Sequence, residues 1–140
     1  MVKKILVLLL GVFALMIAAE RVVVLEIGTG TWCPYCPAAA RGAETLAHNH
    51  PGELLVVEYH QGDPFDNSAS AVRRGFYGVS GYPSSYMDGT FIPGGSGAPA
   101  QYEPKFQERK SIEPPLEITL EKTYNAAYFG EWTVTATIVN

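Results

Sequence analysis

The two cysteines of this 140-residue chain lie three positions apart, in the stretch Trp32-Cys33-Pro34-Tyr35-Cys36-Pro37. Two thiols at this spacing can close a small disulfide that opens and closes during thiol–disulfide exchange. A structural disulfide usually closes a long loop, because it stabilises a fold mainly by restricting the unfolded chain. A bond between Cys33 and Cys36 closes almost no loop, so the spacing favours redox chemistry over a structural crosslink.

The position of the motif predicts different roles for the two sulfurs. The Ala-rich run over 38–47 predicts a helix that begins near Pro34, which places Cys33 at the helix opening. Unpaired backbone N–H groups and the helix dipole favour a negative charge there and can lower a thiol pKa from about 8.5 to roughly 3.5–7. Since the thiolate is the attacking form, we predict that Cys33 is the nucleophile and Cys36 the resolving thiol.

The residues around the motif predict the elements that must position it. The Val-rich run over 21–27 predicts a strand buried on both faces, and a helix follows over 34–49, with Ala39, Ala43 and Leu46 on one face. A second strand is predicted over 54–60, and a second helix, capped by Asp66 or Asn67, is predicted to have its inner face formed by Ala69, Val72 and Phe76. Asp88-Gly89 predicts a hairpin between 84–87 and 90–92, and a last helix is predicted over 100–110. The order is β-α-β-α-β-β-α.

The C-terminal part of the chain has a different pattern. Apolar and polar residues alternate over 116–124 and again over 132–138, which predicts two half-buried strands joined by the loop 125–131. Two strands do not form an independently stable sheet. The segment Glu113-Pro114-Pro115 resembles a linker, and we interpret 113–140 as this linker followed by two strands of an incomplete immunoglobulin-like β-sandwich, in a chain that is a fragment of a longer protein.

The N-terminus is predicted to be an export signal rather than part of the fold. Lys3 and Lys4 precede an uncharged run over 5–19, and Ala18 and Ala19 offer small residues for cleavage before Glu20. The run is short for a membrane span, which needs about 20 apolar residues, although an uncleaved anchor remains the alternative. Disulfides persist outside the cytoplasm, so export fits the chemistry of the motif. We expect the protein in the periplasm, in the outer membrane or at the cell surface.

The charge of the chain argues against nucleic acid as a partner. Without residues 1–19 the chain has 8 basic and 14 acidic residues, a net charge of −6, and the acids are scattered. Nucleic-acid binding requires a basic face. Membrane association is expected only through the export signal or through a part that follows residue 140.

The motif, the element order and Val79-Ser80-Gly81-Tyr82-Pro83 together resemble the thioredoxin fold over residues 21–111. The resemblance implies that Pro83 is cis and faces the disulfide. It also implies that Trp32, Pro34, Tyr35, Tyr82 and Pro83 border the bound substrate, although Trp32 is expected mainly to pack beside the sulfurs. Thioredoxins keep an acid near the end of the strand before the motif, which makes Glu26 a possible proton acceptor. Glu26 lies one residue away from the position of that acid in thioredoxins, and a shift of one residue changes the face of a strand. The alternative for Glu26 is therefore a hydrogen-bonded or solvent-facing acid at the strand end.

A narrower resemblance is to the twenty-eight-kilodalton outer-membrane protein family. It rests on the motif region from Leu25 to Cys33, on the segment 60–65 (His-Gln-Gly-Asp-Pro-Phe) and on 77–83 (Tyr-Gly-Val-Ser-Gly-Tyr-Pro). That family has an exported thioredoxin-like domain followed by β-rich modules. The resemblance implies a signal peptide over 1–19, a thioredoxin-like domain over 20–112, and the linker and strands over 113–140.

No cofactor is expected beyond the disulfide itself, and no metal site is expected. His60 and the two sulfurs supply at most three ligands, whereas structural zinc takes four. His60 is therefore interpreted as structural, and Asp63-Pro64-Phe65 as a turn. The predicted function is an extracytoplasmic thiol–disulfide oxidoreductase that acts on protein thiols or disulfides with a separate redox partner. The alternative is a surface or outer-membrane protein whose thioredoxin-like domain serves binding or assembly.

Overall fold

A computed structural model describes residues 21–125 and 130–139, so the predicted signal peptide lies outside the described residues. The helices and strands of the first compact unit, 21–115, are β1 (Val23–Thr29), α1 (Cys36–Asn49), β2 (Leu54–His60), α2 (Ser68–Tyr77), β3 (Ser84–Met87), β4 (Thr90–Ile92) and α3 (Tyr102–Lys110), the last preceded by a 3-10 segment over Gly95–Gln101. The strands β5 (Glu117–Asn125) and β6 (Glu131–Val139) belong to a second unit. Within the described ranges, the helices are too short or too polar to span a bilayer.

Strand β1 is the centre of the first unit. The sheet order is β2-β1-β3-β4, with β1 parallel to β2 and antiparallel to β3. Val23, Leu25 and Ile27 point to one face, where they form the core with side chains of α1 and α3. Burial of each such side chain stabilises the fold by about 1.5–3 kcal/mol. The prediction of a strand buried on both faces is confirmed, although β1 begins and ends two residues later than predicted.

Helix α1 packs closely on the chain that leads into α3. Its buried residues include Ala39, Ala43 and Leu46, the face that the sequence predicted. A Cβ placed on Gly42 would lie 2.6 Å from Cβ of Pro99, so only glycine permits this separation. The helix begins at Cys36, two residues after the predicted start near Pro34, and ends at Asn49 as predicted.

The inner face of α2 is different from the predicted one. Asn67 caps the helix, since its side chain accepts a hydrogen bond from the N–H of Ser70, as predicted. Ser70 and Arg74 are buried, whereas Val72 is 75% and Phe76 72% exposed. Ala69 is exposed as well. The apolar residues of α2 are therefore exposed, and the helix meets the sheet through Arg73 and Tyr77, which bond to Glu26.

The β3–β4 hairpin turns at Asp88-Gly89, as the sequence predicted. Both turn residues have positive φ, 45° and 80°, the backbone that a tight two-residue hairpin requires. The Asp88 carboxylate also accepts hydrogen bonds from the N–H of Val24 at 2.9 Å and from Arg109 at 3.2 Å. The turn is thereby attached to β1 and to α3.

The second unit is an antiparallel pair with one apolar and one polar face. Ile118 pairs with Ile138, and Tyr124 pairs with Trp132, whose rings lie 4.8 Å apart. Thr119 pairs with Thr137 on the opposite side. The side chains of both strands are exposed. The two predicted strands are confirmed. Their predicted half-burial is wrong, because both strands are exposed along their length. The immunoglobulin-like module to which they were assigned is not confirmed.

Candidate functional site

Cys33 and Cys36 form a disulfide at the opening of α1, with their Cα atoms 5.4 Å apart. Each residue is only 4% exposed, so exposure does not distinguish the two sulfurs in the oxidised form. A hydrogen bond does distinguish them, because the backbone N–H of Cys36 donates to Sγ of Cys33 at 3.1 Å. The first sulfur is therefore the one that the helix terminus would stabilise as a thiolate.

The local sequence explains why the chain turns into the helix at this point. The N–H of Cys33 donates to the carbonyl of Gly30 at 3.0 Å, which closes a turn before the disulfide. Pro37 lies in the first turn of α1, where its missing N–H has no helical partner to lose. Pro34 and Tyr35 lie in the turn between the sulfurs and are exposed, Tyr35 by 64%. Both can contact a molecule that approaches the disulfide.

Trp32 and Tyr82 bring the motif loop and the loop before β3 together. Their rings pack edge to face, with centroids 5.4 Å apart and an interplanar angle of 75°. The indole lies so close to Gly30 that a Cβ there would be 2.7 Å from Nε1. The Tyr82–Pro83 peptide bond is cis, as the family resemblance predicted, and Pro83 is buried. The structure thus places the loop of the cis proline beside the residue that precedes Cys33.

Asp63 holds the motif loop from the turn after β2. Its Oδ2 accepts hydrogen bonds from the N–H of Thr31 at 2.7 Å and from Nδ1 of His60 at 2.7 Å, and its Oδ1 accepts one from the N–H of Phe65 at 2.9 Å. Its side chain is only 2% exposed. Burial raises the pKa of this carboxyl, but the three hydrogen bonds outweigh burial and lower the pKa of Asp63 to about 2. The carboxylate is ionised at neutral pH and fixes the backbone two residues before Cys33.

Gln61 contacts both loops. Its backbone carbonyl accepts a hydrogen bond from Nε1 of Trp32 at 2.6 Å, and its side-chain Oε1 accepts one from the hydroxyl of Tyr82. Its N–H donates to the carbonyl of Thr29, at the end of β1, at 3.0 Å. The turn after β2 therefore reaches both loops that border the disulfide.

Glu26 lies on the face of the sheet away from α1. Leu25 and Ile27 pack toward α1, and alternation along β1 directs Glu26 to the face covered by α2. There its carboxylate accepts hydrogen bonds from the guanidinium of Arg73 at 2.6 and 2.9 Å and from two phenols, Tyr59 at 2.9 Å and Tyr77 at 2.5 Å. Glu26 is thus a hydrogen-bonded acid in the strand, as the alternative predicts, and exchange kinetics test whether it also accepts a proton.

The charge state of Glu26 follows from the same contacts. Burial raises the pKa of the carboxyl, but the hydrogen bonds from the guanidinium and the two phenols outweigh burial, and the net pKa is lowered. In turn, burial and the hydrogen bond to Glu26 raise the pKa of Tyr77 to about 12. The group is an ionised carboxylate held by neutral phenols and one cation.

His60 takes part in this architecture through Asp63. Its Nδ1 lies 2.7 Å from Oδ2 of Asp63, and its ring packs against Phe65 with centroids 5.1 Å apart. Over 21–125 and 130–139, no three His, Cys, Asp or Glu side chains are grouped as a metal site would require. The sequence predicts a turn at Asp63-Pro64-Phe65, and the structure shows in addition that Gln61 and Asp63 bond to the motif loop. In the sequence, the one signal for this role is that Gln61 and Asp63 directly follow β2, the strand that pairs with β1.

Comparison with known proteins gives matches at the level of structure. No protein-family model and no curated protein sequence matches the chain. HBP35 of Porphyromonas gingivalis matches with 25% identity over 75% of this chain, at a TM-score of 0.55. A structural-genomics protein of Agrobacterium tumefaciens matches with 18% identity over 78% of this chain, at a TM-score of 0.56. The first thioredoxin domain of mouse protein disulfide-isomerase A4 is 24% identical over 69% of this chain and 70% of its own, at a TM-score of 0.46.

The first two of these proteins are longer than this chain. It spans 38% of the length of the P. gingivalis protein and 55% of the length of the A. tumefaciens protein. The strand order β2-β1-β3-β4, the disulfide at the opening of α1 and the cis Tyr82–Pro83 bond agree with the predicted resemblance. The first compact unit has a thioredoxin-like fold, and its disulfide is consistent with a redox role.

Proposed function

We propose that the protein is an extracytoplasmic thiol–disulfide oxidoreductase that exchanges disulfides through Cys33 and Cys36. The observation that carries the proposal is the 3.1 Å hydrogen bond from the N–H of Cys36 to Sγ of Cys33 at the opening of α1. A sulfur in this position is stabilised as a thiolate by the N–H group and by the positive end of the helix dipole. Cys33 is the nucleophile on this basis.

The exchange proceeds in two displacements. The Cys33 thiolate attacks one sulfur of a substrate disulfide, which forms a mixed disulfide and releases the other substrate sulfur as a thiolate. Cys36 then loses its proton to solvent and attacks Sγ of Cys33, which releases the second substrate thiolate and closes the Cys33–Cys36 disulfide. Two electrons pass from the protein to the substrate. The reverse sequence oxidises a substrate dithiol, and a separate redox partner restores the starting form.

The residues around the disulfide suit a peptide substrate. Trp32, Pro34 and Tyr35 are exposed beside the sulfurs, and Trp32 packs against Tyr82. Aromatic side chains offer large contact areas at little loss of conformational entropy. We assign Trp32, Pro34, Tyr35, Tyr82 and Pro83 to the border of the substrate site.

Titration of the reduced protein tests the proposal directly. Thiolate absorbance near 240 nm, measured against pH, should reveal one thiol with a pKa well below the ordinary value of about 8.5. The signal should vanish in Cys33→Ser and persist in Cys36→Ser. A Cys33 that titrates as an ordinary thiol, in a protein that catalyses exchange in neither direction, would overturn the proposal.

We further propose that the protein is exported and belongs with the twenty-eight-kilodalton outer-membrane proteins. Lys3, Lys4 and the uncharged run over 5–19 support export, with the domains divided as 1–19, 20–112 and 113–140. The apolar face of the β5–β6 pair supports the interpretation of 113–140 as a linker followed by two strands of an immunoglobulin-like sandwich. Mass spectrometry of protein from the cell envelope should find a mature N-terminus at or near Glu20. An intact Met1 in cytosolic protein would contradict export.

A second candidate function is a surface or outer-membrane protein in which the thioredoxin-like unit serves binding or assembly. The exposed apolar face of the β5–β6 pair, with Ile118, Tyr124 and Trp132, favours it. The two candidates differ in the chemistry of Cys33. If cells that carry Cys33→Ser keep an intact cell envelope, the second candidate function is favoured.

A further inference from the structure

Gln61 joins the two loops that border the disulfide. Trp32 precedes Cys33, and its indole N–H donates to the backbone carbonyl of Gln61 at 2.6 Å. Tyr82 precedes Pro83, and its hydroxyl donates to the side-chain oxygen of the same glutamine. One residue after β2 therefore holds an aromatic side chain from each loop.

The turn that presents Gln61 is itself well anchored. The N–H of Gln61 donates to the carbonyl of Thr29 at 3.0 Å, and Asp63 accepts the N–H of Thr31 at 2.7 Å. Asp66 accepts the N–H of Gly62 at 2.8 Å, and Gly62 has a φ of 63°, in the left-handed region that favours glycine. The carboxamide of Gln61 thus starts from a fixed backbone, which makes it a suitable support for a neighbouring side chain.

From this geometry we propose that Gln61 is a positioning residue for thiol–disulfide exchange, acting through Tyr82. The inference rests on the proposed function, since the site it shapes is the one in which that function places the substrate. The Tyr82 ring meets Trp32 edge to face, and the bond to Gln61 restricts rotation of that ring. Without the bond, substrate binding must first restrict a mobile phenol, which weakens binding.

The proposal separates binding from chemistry. The side-chain oxygen of Gln61 bonds to Tyr82, whereas Sγ of Cys33 takes its hydrogen bond from the N–H of Cys36. Loss of the Gln61 side chain should therefore raise KM for a disulfide-bonded peptide and leave both kcat and the pKa of Cys33 unchanged. If Gln61 only supported folding, its replacement would change the unfolding midpoint without raising KM alone.

The test compares the wild type with Gln61→Met in the reduction of a disulfide-bonded peptide. Methionine keeps the length of the side chain and removes the oxygen that accepts the Tyr82 hydroxyl. KM should rise about 3- to 10-fold, as expected for loss of one neutral hydrogen bond. Tyr82→Phe should give the same rise, and the double variant should give no further rise. Gln61→Glu keeps an acceptor oxygen and should restore KM.

Gln107→Met is the matched control. Gln107 is an exposed glutamine on α3 whose side chain donates to Glu103 at 2.8 Å, so its replacement should leave KM unchanged. If Gln61→Met fails to fold, Gln61→Ala takes its place in the same comparison, because it also removes the acceptor of the Tyr82 hydroxyl. Suppose that the wild type is active and the Gln61 variant folds. An unchanged KM in that variant, or a shift in the pKa of Cys33 in place of a higher KM, would then overturn this inference alone. A wild type without exchange activity would overturn the proposed function and this inference with it.

Discussion

The carboxylate of Glu26 and the guanidinium of Arg73 meet through two hydrogen bonds, Nε to Oε1 at 2.6 Å and Nη2 to Oε2 at 2.9 Å. Glu26 lies on the central strand and Arg73 on α2, so the pair connects the sheet to this helix. The phenols of Tyr59 and Tyr77 donate to the same carboxylate. Glu26 thus acts as the attachment point of α2, on the face of the sheet away from α1.

We expect Glu26→Gln to destabilise the fold. The amide replaces one acceptor oxygen with a donor that faces Arg73 or a phenol, and it removes the ionic partner of the guanidinium. The free energy of unfolding should fall by about 1–3 kcal/mol, below the cost of a fully buried pair because the Arg73 side chain is 40% exposed. Urea denaturation measures this change.

Glu108→Gln is the control for this variant, since Glu108 pairs with Lys105 at the surface, where an ion pair contributes little. Its unfolding midpoint should remain that of the wild type. The folded Glu26→Gln protein should also keep its exchange rate. A lower rate with normal stability would show that Glu26 accepts a proton during exchange after all.

Stability should decrease in acid below about pH 4. Burial raises the pKa values of Glu26, Asp63 and Asp88, but hydrogen bonds to the carboxylates outweigh burial, so all three values lie below the ordinary ones in the folded protein. Groups of this kind stabilise the fold fully above their unfolded pKa values, about 3.9 to 4.3, and lose this contribution as the pH falls through the folded values. For Asp63 the loss extends to about pH 2.

The measurement is the urea midpoint as a function of pH. Asp63→Asn should flatten the part of the curve near pH 2–4. Glu108→Gln is the control, because Glu108 forms only an exposed pair with Lys105. A midpoint that stays constant from pH 5 to pH 2 would contradict the expectation that these carboxylates stabilise the fold, which rests on their lowered pKa values.

Gly42→Ala should separate α1 from the segment that leads into α3. The added Cβ would lie 2.6 Å from Cβ of Pro99 and 3.3 Å from the Tyr102 ring, so the packing must shift. We expect a loss of about 1–3 kcal/mol of unfolding free energy, measured by thermal denaturation.

Gly75→Ala is the matched control, because a Cβ there meets no atom within 4 Å and the site lies inside α2. It should raise stability by about 0.5–1 kcal/mol through helix propensity. Equal effects of the two substitutions would show that the close approach at Gly42 does not matter.

The two cysteine variants should behave differently toward substrates. Cys36→Ser leaves the nucleophile without a resolving thiol, so mixed disulfides with substrates should accumulate. Cys33→Ser should accumulate none, and both should lose catalysis. Non-reducing gels of protein incubated with a disulfide-bonded peptide provide the measurement. Trapping through Cys36 instead would reverse the roles that the 3.1 Å hydrogen bond supports.

Deletion of 114–140 should leave the thioredoxin-like unit folded. Residues 21–115 form a compact unit of their own, with the core built from β1, α1 and α3. We expect little change in the melting temperature of the remaining protein, measured by circular dichroism. Loss of a cooperative transition would show that the C-terminal strands complete this core.

The amino-acid sequence by itself predicted the local features of the site. The Cys33–Cys36 spacing, the Asn67 cap and the Asp88-Gly89 turn each depend on residues that are close together in the chain. Such features follow from short-range geometry and hydrogen bonding, which the sequence states directly. The prediction of a cis Pro83 came from family resemblance, and the structure confirms it.

Only the tertiary structure decided which side chains face the sheet and the disulfide. Periodicity placed Val72 and Phe76 inward, yet the buried carboxylate of Glu26 requires polar partners, so Arg73 and Tyr77 turn toward the sheet and the apolar residues remain exposed. Gln61 likewise gains its contacts with Trp32 and Tyr82 only because β2 ends beside β1. Interactions across 21 to 29 positions have no local signal, since they arise when the sheet brings distant loops together.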